Sequence, residues 1–315
     1  MGVPVWEQGP GRTYRPDMRP PTVYGAHQPG IATPHRKHGL IAAFDVEHPR
    51  ILESWTRDAE HLMRTTGATI TIGLGPSFFD DRFGLAKHRP AGLLPLPPFD
   101  GDALDPALEG GDACVLIGAD EPIELPDAFG TPRWIQRGIR NDRGALGFRD
   151  GTLNLRRPVD LDRHVWVSGR ERSWMVGGTF LVVRRIQVLE SWHALTEPEQ
   201  EQAIGRDKRT GAPLSGRRLY DPPVLHELPA TAHIRVAAPR EARVALLRRG
   251  YDTDDGLLFL AFQRDPRRQF VPLQRRLSEH DALHPHTRHI GSAVFAIPPG
   301  ARPNEGLGNA LLYSQ

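Results

Sequence analysis

Short apolar runs with strand character come round twice along this chain in nearly the same order, which restricts the fold more than any single motif does. The first round opens with Gly39-Leu40-Ile41-Ala42-Ala43-Phe44-Asp45-Val46. An amphipathic stretch over 49–64 follows, with Ile51, Leu52, Trp55, Ala59, Leu62 and Met63 at helical spacing and charges between them. Alternating Thr and Ile over 68–74 predict a second strand, Ala113-Cys114-Val115-Leu116-Ile117-Gly118 a third, and 131–139 a fourth. The second round reads as a long strand over 173–189, a helix over 190–206 capped near Thr196 and Glu199, and a loop over 211–229. After it come residues 244–247 leading into Arg248, the strand Gly256-Leu257-Leu258-Phe259-Leu260-Ala261-Phe262-Gln263, a helix over 270–277, and the strand Ser292-Ala293-Val294-Phe295-Ala296-Ile297. Strand, helix, strand, strand, helix, strand is the order of a ferredoxin-like half, so the expected class is α+β with a coarse internal duplication.

The first round is incomplete. Residues 120–130 hold Pro122, Pro126 and Gly130 and leave no amphipathic turn, so one covering helix of the first half is expected to be missing. The bare sheet face should then be covered by the first 38 residues, by the Gly-, Pro- and Asp-rich loop over 75–112, or by another subunit. That leading stretch is polar, rich in Pro and Gly, and reads as an extended arm. The 315 residues suffice for one large domain or for two of about 150. Cys114 is the single cysteine and lies in an apolar run, which excludes an intramolecular disulfide and suits a buried strand residue. With 40 basic and 38 acidic side chains, no charge excess draws nucleic acid or an anionic membrane, and no run approaches the roughly 18 apolar residues of a spanning helix.

Candidate chemistry gathers at three places. Gly147-Phe148-Arg149-Asp150-Gly151-Thr152, followed by Leu153 and Asn154, sets an acid between glycines in a tight loop. Such a loop brings backbone close to a ligand and aims one carboxyl into a cavity, although by itself it is as readily a solvated turn. Ala232-His233-Ile234-Arg235 places a histidine in an apolar context, with Ala238, Pro239 and Arg240 close behind. Leu247-Arg248-Arg249-Gly250-Tyr251 supplies adjacent guanidinium groups, which point to opposite sides if the segment is extended. One acid, one histidine and one arginine make a small catalytic kit.

In this order, and over almost the whole chain, these motifs resemble the dye-decolourising peroxidases, haem enzymes that include a deferrochelatase/peroxidase-like subgroup. Tyr24-Gly25-Ala26-His27-Gln28-Pro29-Gly30-Ile31, Gly177-Gly178-Thr179-Phe180-Leu181-Val182-Val183-Arg184-Arg185, and Gly256-Leu257-Leu258-Phe259 running into Gln263-Arg264-Asp265-Pro266 carry the resemblance as well. Several independent matches in the right order weigh more than any one of them. The resemblance implies a dimeric α+β barrel of two ferredoxin-like halves with haem in the C-terminal half. It divides the chain into an arm (1–38), an N-terminal half (39–146) and a haem-binding half (147–315). It further implies haem b, with His233 as the axial ligand to iron and peroxide on the opposite face. Asp150 becomes the acid–base that shuttles a proton between the peroxide oxygens, and Arg248 stabilises charge as the ferryl intermediate forms. Gly151, Thr152, Leu153, Arg235, Ala238, Pro239, Arg240 and Arg248 are implied to border the cofactor. His226, outside the matching motif, is the rival ligand.

The implied activity is peroxidase oxidation of organic, phenolic or dye-like donors by one-electron steps. Hydrogen peroxide and a small-molecule reductant are the expected partners, nucleic acid is not, and a homo-oligomer is compatible with the chain. The alternative is a haem-binding, iron-releasing protein with incidental peroxidase activity; a third reading is a degenerate relative that holds no haem. Donors too large for the pocket would give up an electron at a surface aromatic, for which Trp174, Trp192, Tyr220 and Tyr251 are candidates and Tyr251 is favoured by its place beside the arginine pair. His280, His284, His286 and His289 cluster late in the chain, but Pro285 prevents a regular helix from aligning them, and they read as a solvated loop. Without the apolar core of a signal peptide the chain as written suits the cytoplasm; relatives are often exported by the twin-arginine route, so a chain written without its leader is the open alternative.

Overall fold

This computed structural model describes residues 20–151, 153–169, 172–239 and 245–313. Eight strands close into one antiparallel barrel: β1 (His38–Phe44), β2 (Thr69–Leu74), β3 (Ala113–Ala119), β4 (Trp134–Ile139), β5 (Thr179–Val188), β6 (Leu247–Thr253), β7 (Gly256–Gln263) and β8 (Thr287–Ile297). Around the barrel the order is β4-β1-β3-β2-β8-β5-β7-β6 and back to β4, so each half repeats the 4-1-3-2 order of a ferredoxin-like sheet. Long ladders hold each half together. Between halves the pairing shrinks to Leu74 with Ala296 at one seam and Ile139 with Asp252 at the other.

Period-two alternation decides which side chains fill the barrel. Ile41 and Ala43 of β1, Cys114 and Leu116 of β3, Leu181 and Val183 of β5, Leu258, Leu260 and Phe262 of β7, and Phe295 and Ile297 of β8 meet in one interior cluster. Cys114 is fully buried there, and burial pushes its thiol pKa up, as suits an inert strand cysteine. Outward-facing Leu40, Ala42, Ile70, Ile72, Val115 and Ile117 pack in a second cluster with Leu52, Trp55, Ala59 and Met63 of α1 (Ile51–Thr66). Each large side chain so buried contributes about 1.5–3 kcal/mol.

Between β3 and β4 only a 3-10 turn, Asp127–Phe129, stands where the second half has a helix. The sheet face is nevertheless covered from within the chain. Phe129 sets its ring edge-on to Trp55 at 5.8 Å, and Val23 of the arm, Phe78 and Phe79 of the long loop, and Leu307 and Leu311 near the C-terminus complete the same cluster. The arm is pinned by Gln28, whose amide donates to the carbonyls of Ile72 and Pro298 at 3.0 Å each and accepts from Ile72 N–H at 2.8 Å. Residues 1–19 of the arm lie outside the described residues.

The loop over 75–112 is ordered and closes a seam. Because β2 and β8 share a single pair, the first part of β8 has an open edge, and the loop docks on it. Ala103 N–H donates to the His289 carbonyl at 2.9 Å, Asp105 N–H to Ile290 at 2.8 Å and Gly110 N–H to Ser292 at 3.3 Å. Asp102 ion-pairs there with Arg184, which is 1% exposed.

Three readings of the second half need correction. Residues 173–178 form a 3-10 turn (Ser173–Met175) and a glycine break, since Gly177 takes φ 86°; β5 starts only at Thr179. The helix over 190–206 is two, α3 (Glu190–His193) and α4 (Glu197–Ile204), because Thr196 and Glu199 build a capping box with Pro198 in the first turn. The histidine cluster is not all solvated loop. β8 begins at Thr287, and His289 on it is buried, accepts from Arg184 Nε at 3.0 Å, and has its pKa lowered to about 3 by burial. The helices α2 (Pro158–His164), α5 (His233–Val236), α6 (Phe270–His280) and α7 (Asn309–Leu312) complete the second half and the C-terminal segment.

Candidate active site

Alternation along β6 separates the arginine pair. Leu247 and Tyr251 belong to the barrel interior, and Arg249 on their side is buried, donating to the Ile31 carbonyl at 3.0 and 2.6 Å. Arg248 therefore points outward, toward the loop that carries Asp150. Asn154 docks that loop on the strand: its Nδ2 donates to the Arg248 carbonyl at 2.6 Å and its Oδ1 accepts from Arg248 N–H at 3.0 Å. A side-chain amide thus imitates one rung of a β-ladder. Arg248 Nη2 reaches the Leu153 carbonyl at 3.4 Å. Gly147 N–H to Gly144 at 2.7 Å and Ala145 N–H to Asp252 Oδ1 at 2.7 Å hold the loop's start.

The Asp150 carboxylate is half-exposed and stands 3.8 Å from Arg140. Its charge is felt at Arg248, where burial lowers the guanidinium pKa and Asp150 raises it. The same opposition acts at the buried Arg206, whose pKa burial lowers to about 10. Arg248 is itself only partly buried.

His233 opens α5. Its Nδ1 lies 2.6 Å from Oδ2 of Asp281, a nearly buried carboxylate just past the end of α6 whose Oδ1 accepts from Leu283 N–H at 2.9 Å. A carboxylate beside Nδ1 places the ring proton on that nitrogen and leaves the Nε2 lone pair for a metal. Among the described residues Nε2 makes no hydrogen bond. Ala282 N–H donates to the Thr231 carbonyl at 2.8 Å and staples this acid to the segment preceding the histidine. Arg235, Ala238, Pro239 and Asp281 line a half-open cavity of about 890 Å³.

Both halves of the site stand on one small core. Phe148 from the Asp150 loop, Trp192 from α3, Ala203 and Ile204 from α4, and Leu283 are buried together, with Ile234 next to His233 and Ala282 next to Asp281 packed against them. Acid loop, histidine helix and supporting carboxylate are fixed to a common base.

Two family models match the chain in order, Dyp-type peroxidase, N-terminal, over residues 28–123 and Dyp-type peroxidase, C-terminal, over residues 141–302. A relative called deferrochelatase from Shigella boydii serotype 4 is 33% identical, with 97% of this chain and 90% of that one aligned. The chain belongs to the DyP-type peroxidase family. Among solved structures, a DyP-type peroxidase from Cellulomonas bogoriensis is similar with a TM-score of 0.85 at 34% identity, covering 94% of this chain and 98% of its own. Ferric DtpA from Streptomyces lividans is similar with a TM-score of 0.84 at 33% identity, covering 93% and 97%. Haem is accordingly the cofactor of this DyP-type enzyme and peroxidase its class. The residues present fit that group: an imidazole whose Nε2 is free of hydrogen bonds among the described residues and whose Nδ1 is held by a carboxylate, and a partly buried guanidinium with donors to spare.

Of the residues expected to border the cofactor in this DyP-type enzyme, Thr152 and Arg240 lie outside the described residues, as does Val244. Gly151 and Leu153 meet Arg206 and Arg248 through their carbonyls, while Arg235 Nη1 is turned to the Leu228 carbonyl. His226 is highly exposed beside Glu227 on the 3-10 turn Leu225–Glu227, away from the shared core. Tyr251 is not a surface aromatic; it is 5% exposed inside the barrel, and burial raises its pKa to about 12. Trp174 and Trp192 are buried as well, and Tyr220 at 44% is the exposed one of the four. Sequence reasoning missed Asp281, Asn154 and Arg206. Asn154 had a local signal in its place behind the Asp150 loop, whereas Asp281 was hidden among the late histidines and Arg206 had no signal.

Proposed function

We propose that this enzyme uses hydrogen peroxide to oxidise organic or phenolic donors, with His233 as the iron ligand and Asp150 and Arg248 on the peroxide side. The observation that carries the reading is the Asn154 clamp, which sets the Asp150 loop against the strand position of Arg248. The bound haem supplies the redox chemistry, two oxidising equivalents taken from peroxide and passed on one electron at a time. Asp150 would take a proton from one peroxide oxygen and return it to the other, which leaves as water. Arg248 offers charged N–H donors to that departing oxygen. Asp281 keeps Nε2 of His233 aimed. Of the four aromatics considered as electron outlets, Tyr220 is the exposed one, which supports it as the outlet for a donor too large for the pocket.

An absorption spectrum before and after one equivalent of peroxide tests this. The haem-reconstituted protein should show a strong haem band that changes within the mixing time, and a band indifferent to peroxide would refute the peroxidase reading. That second outcome would favour the iron-releasing alternative, which the names of the curated relatives support. Asp281→Asn should weaken haem retention or slow the peroxide step by roughly 10–100-fold, since an amide that turns its N–H₂ toward Nδ1 favours the wrong tautomer. Haem titration of the variant beside the parent protein measures it; equal affinity and equal rate would remove Asp281 from the scheme.

A further inference from the structure

Arg206 is 8% exposed and spends its guanidinium on backbone alone. Nη2 donates to the Gly151 carbonyl at 3.0 Å, and Nη1 to the carbonyls of Gly211 at 2.6 Å and Leu219 at 3.2 Å. Among the described residues no carboxylate lies within ion-pair distance of it. Burying a charge with only carbonyl dipoles for company is costly, and the planar fork of arginine is the side chain that can satisfy three diverging acceptors. The contact with the Asp150 loop is tight: a Cβ on Gly151 would stand 2.3 Å from Nη1.

The residue before it touches the other side of the site. Gly205 closes α4 with φ 87°, and a Cβ there would stand 2.9 Å from Cγ1 of Ile234 and 3.1 Å from Cβ of Ala232, the two neighbours of His233. Gly205 and Arg206 are stiffened by the loop that follows. Leu214 N–H donates to the Gly205 carbonyl at 3.0 Å, Asp207 N–H to Ala212 at 2.9 Å, and Thr210 N–H to Asp207 Oδ1 at 2.6 Å. Two adjacent residues thus press on the histidine helix with one and hold the acid loop with the other.

We propose that Gly205 and Arg206 gauge the gap between His233 and Asp150, and that Arg206 is a positioning residue for the Asp150 carboxyl. This rests on the peroxidase reading of that site. Arg206 acts through Gly151 and also adds positive charge near the acid, together with Arg140 and Arg248; Asp252 and His35 are the other titratable groups that feel Asp150. The gauge accounts for a buried cation that hydrophobic packing alone would not retain.

The test uses the haem-reconstituted full chain with Arg206→Lys, Arg206→Met and Gly151→Ala, the last of which displaces the guanidinium without removing it. Amide hydrogen exchange over 144–153 should accelerate in all three while the haem band persists. The peroxide step should slow by roughly 10–100-fold, as a misplacement near 1 Å does, with the donor KM unchanged. Parental exchange and rate in Arg206→Met overturn the proposal. If that variant takes up no haem, parental exchange and rate in Arg206→Lys and Gly151→Ala overturn it instead. The exchange measurement needs no turnover, so it decides the gauge even where Asp150→Ala itself proves harmless and the acid–base reading is the part that fails.

Discussion

Asp150→Ala is expected to leave haem bound and to slow the reaction with peroxide by roughly 10²–10⁴-fold, the usual contribution of a positioned proton-transfer group. Haem retention should survive because the carboxyl is half-exposed and its loop is held by Asn154 on Arg248 and Arg206 on Gly151, neither of which uses the Asp150 side chain. Stopped-flow spectra of parent and variant over a range of pH provide the check, and a variant reacting within threefold of the parent at neutral pH would place the shuttle elsewhere. Asp150→Asn should match it, since an amide keeps the shape and cannot take the proton.

His233→Ala should cost the protein its haem outright, a larger loss than the roughly 10–100-fold expected of the outer partner Asp281, because it removes the ligand and not its orientation. It should also leave the carboxylate of Asp281 nearly buried with its imidazole partner gone, although Leu283 N–H still donates to it. A buried acceptor left in that state costs about 1–3 kcal/mol, so a lower melting temperature should accompany the lost absorption band. Adding imidazole is expected to recover part of the haem band by filling the vacated space. Full haem uptake without imidazole would transfer the ligand role to another residue.

Much of this was written in the order of apolar runs. The α+β class, the duplicated halves, the missing first-half helix and the buried Cys114 follow from periodicity and from Pro122, Pro126 and Gly130, because a sheet face repels water whatever else surrounds it. The opposed arginines were legible for the same reason: an extended segment can send Arg248 and Arg249 only to opposite faces, and the interior took Arg249. The split of 190–206 was legible too and was passed over, since Thr196, Pro198 and Glu199 together announce a helix start.

What tertiary structure alone decided is which distant groups meet. The sequence determined a histidine, an acid and an arginine in matching motifs; it did not determine Asp281 under the histidine, Asn154 rung to rung with Arg248, or Arg206 between the two sides. Those contacts join segments dozens of residues apart, and no local propensity encodes them. They exist because Phe148, Trp192, Ile204 and Leu283 bury one another and carry their polar neighbours into register. His289 teaches the same lesson, reading as a solvated loop in sequence and standing buried on a strand because Arg184 and a docked loop closed the barrel's seam over it.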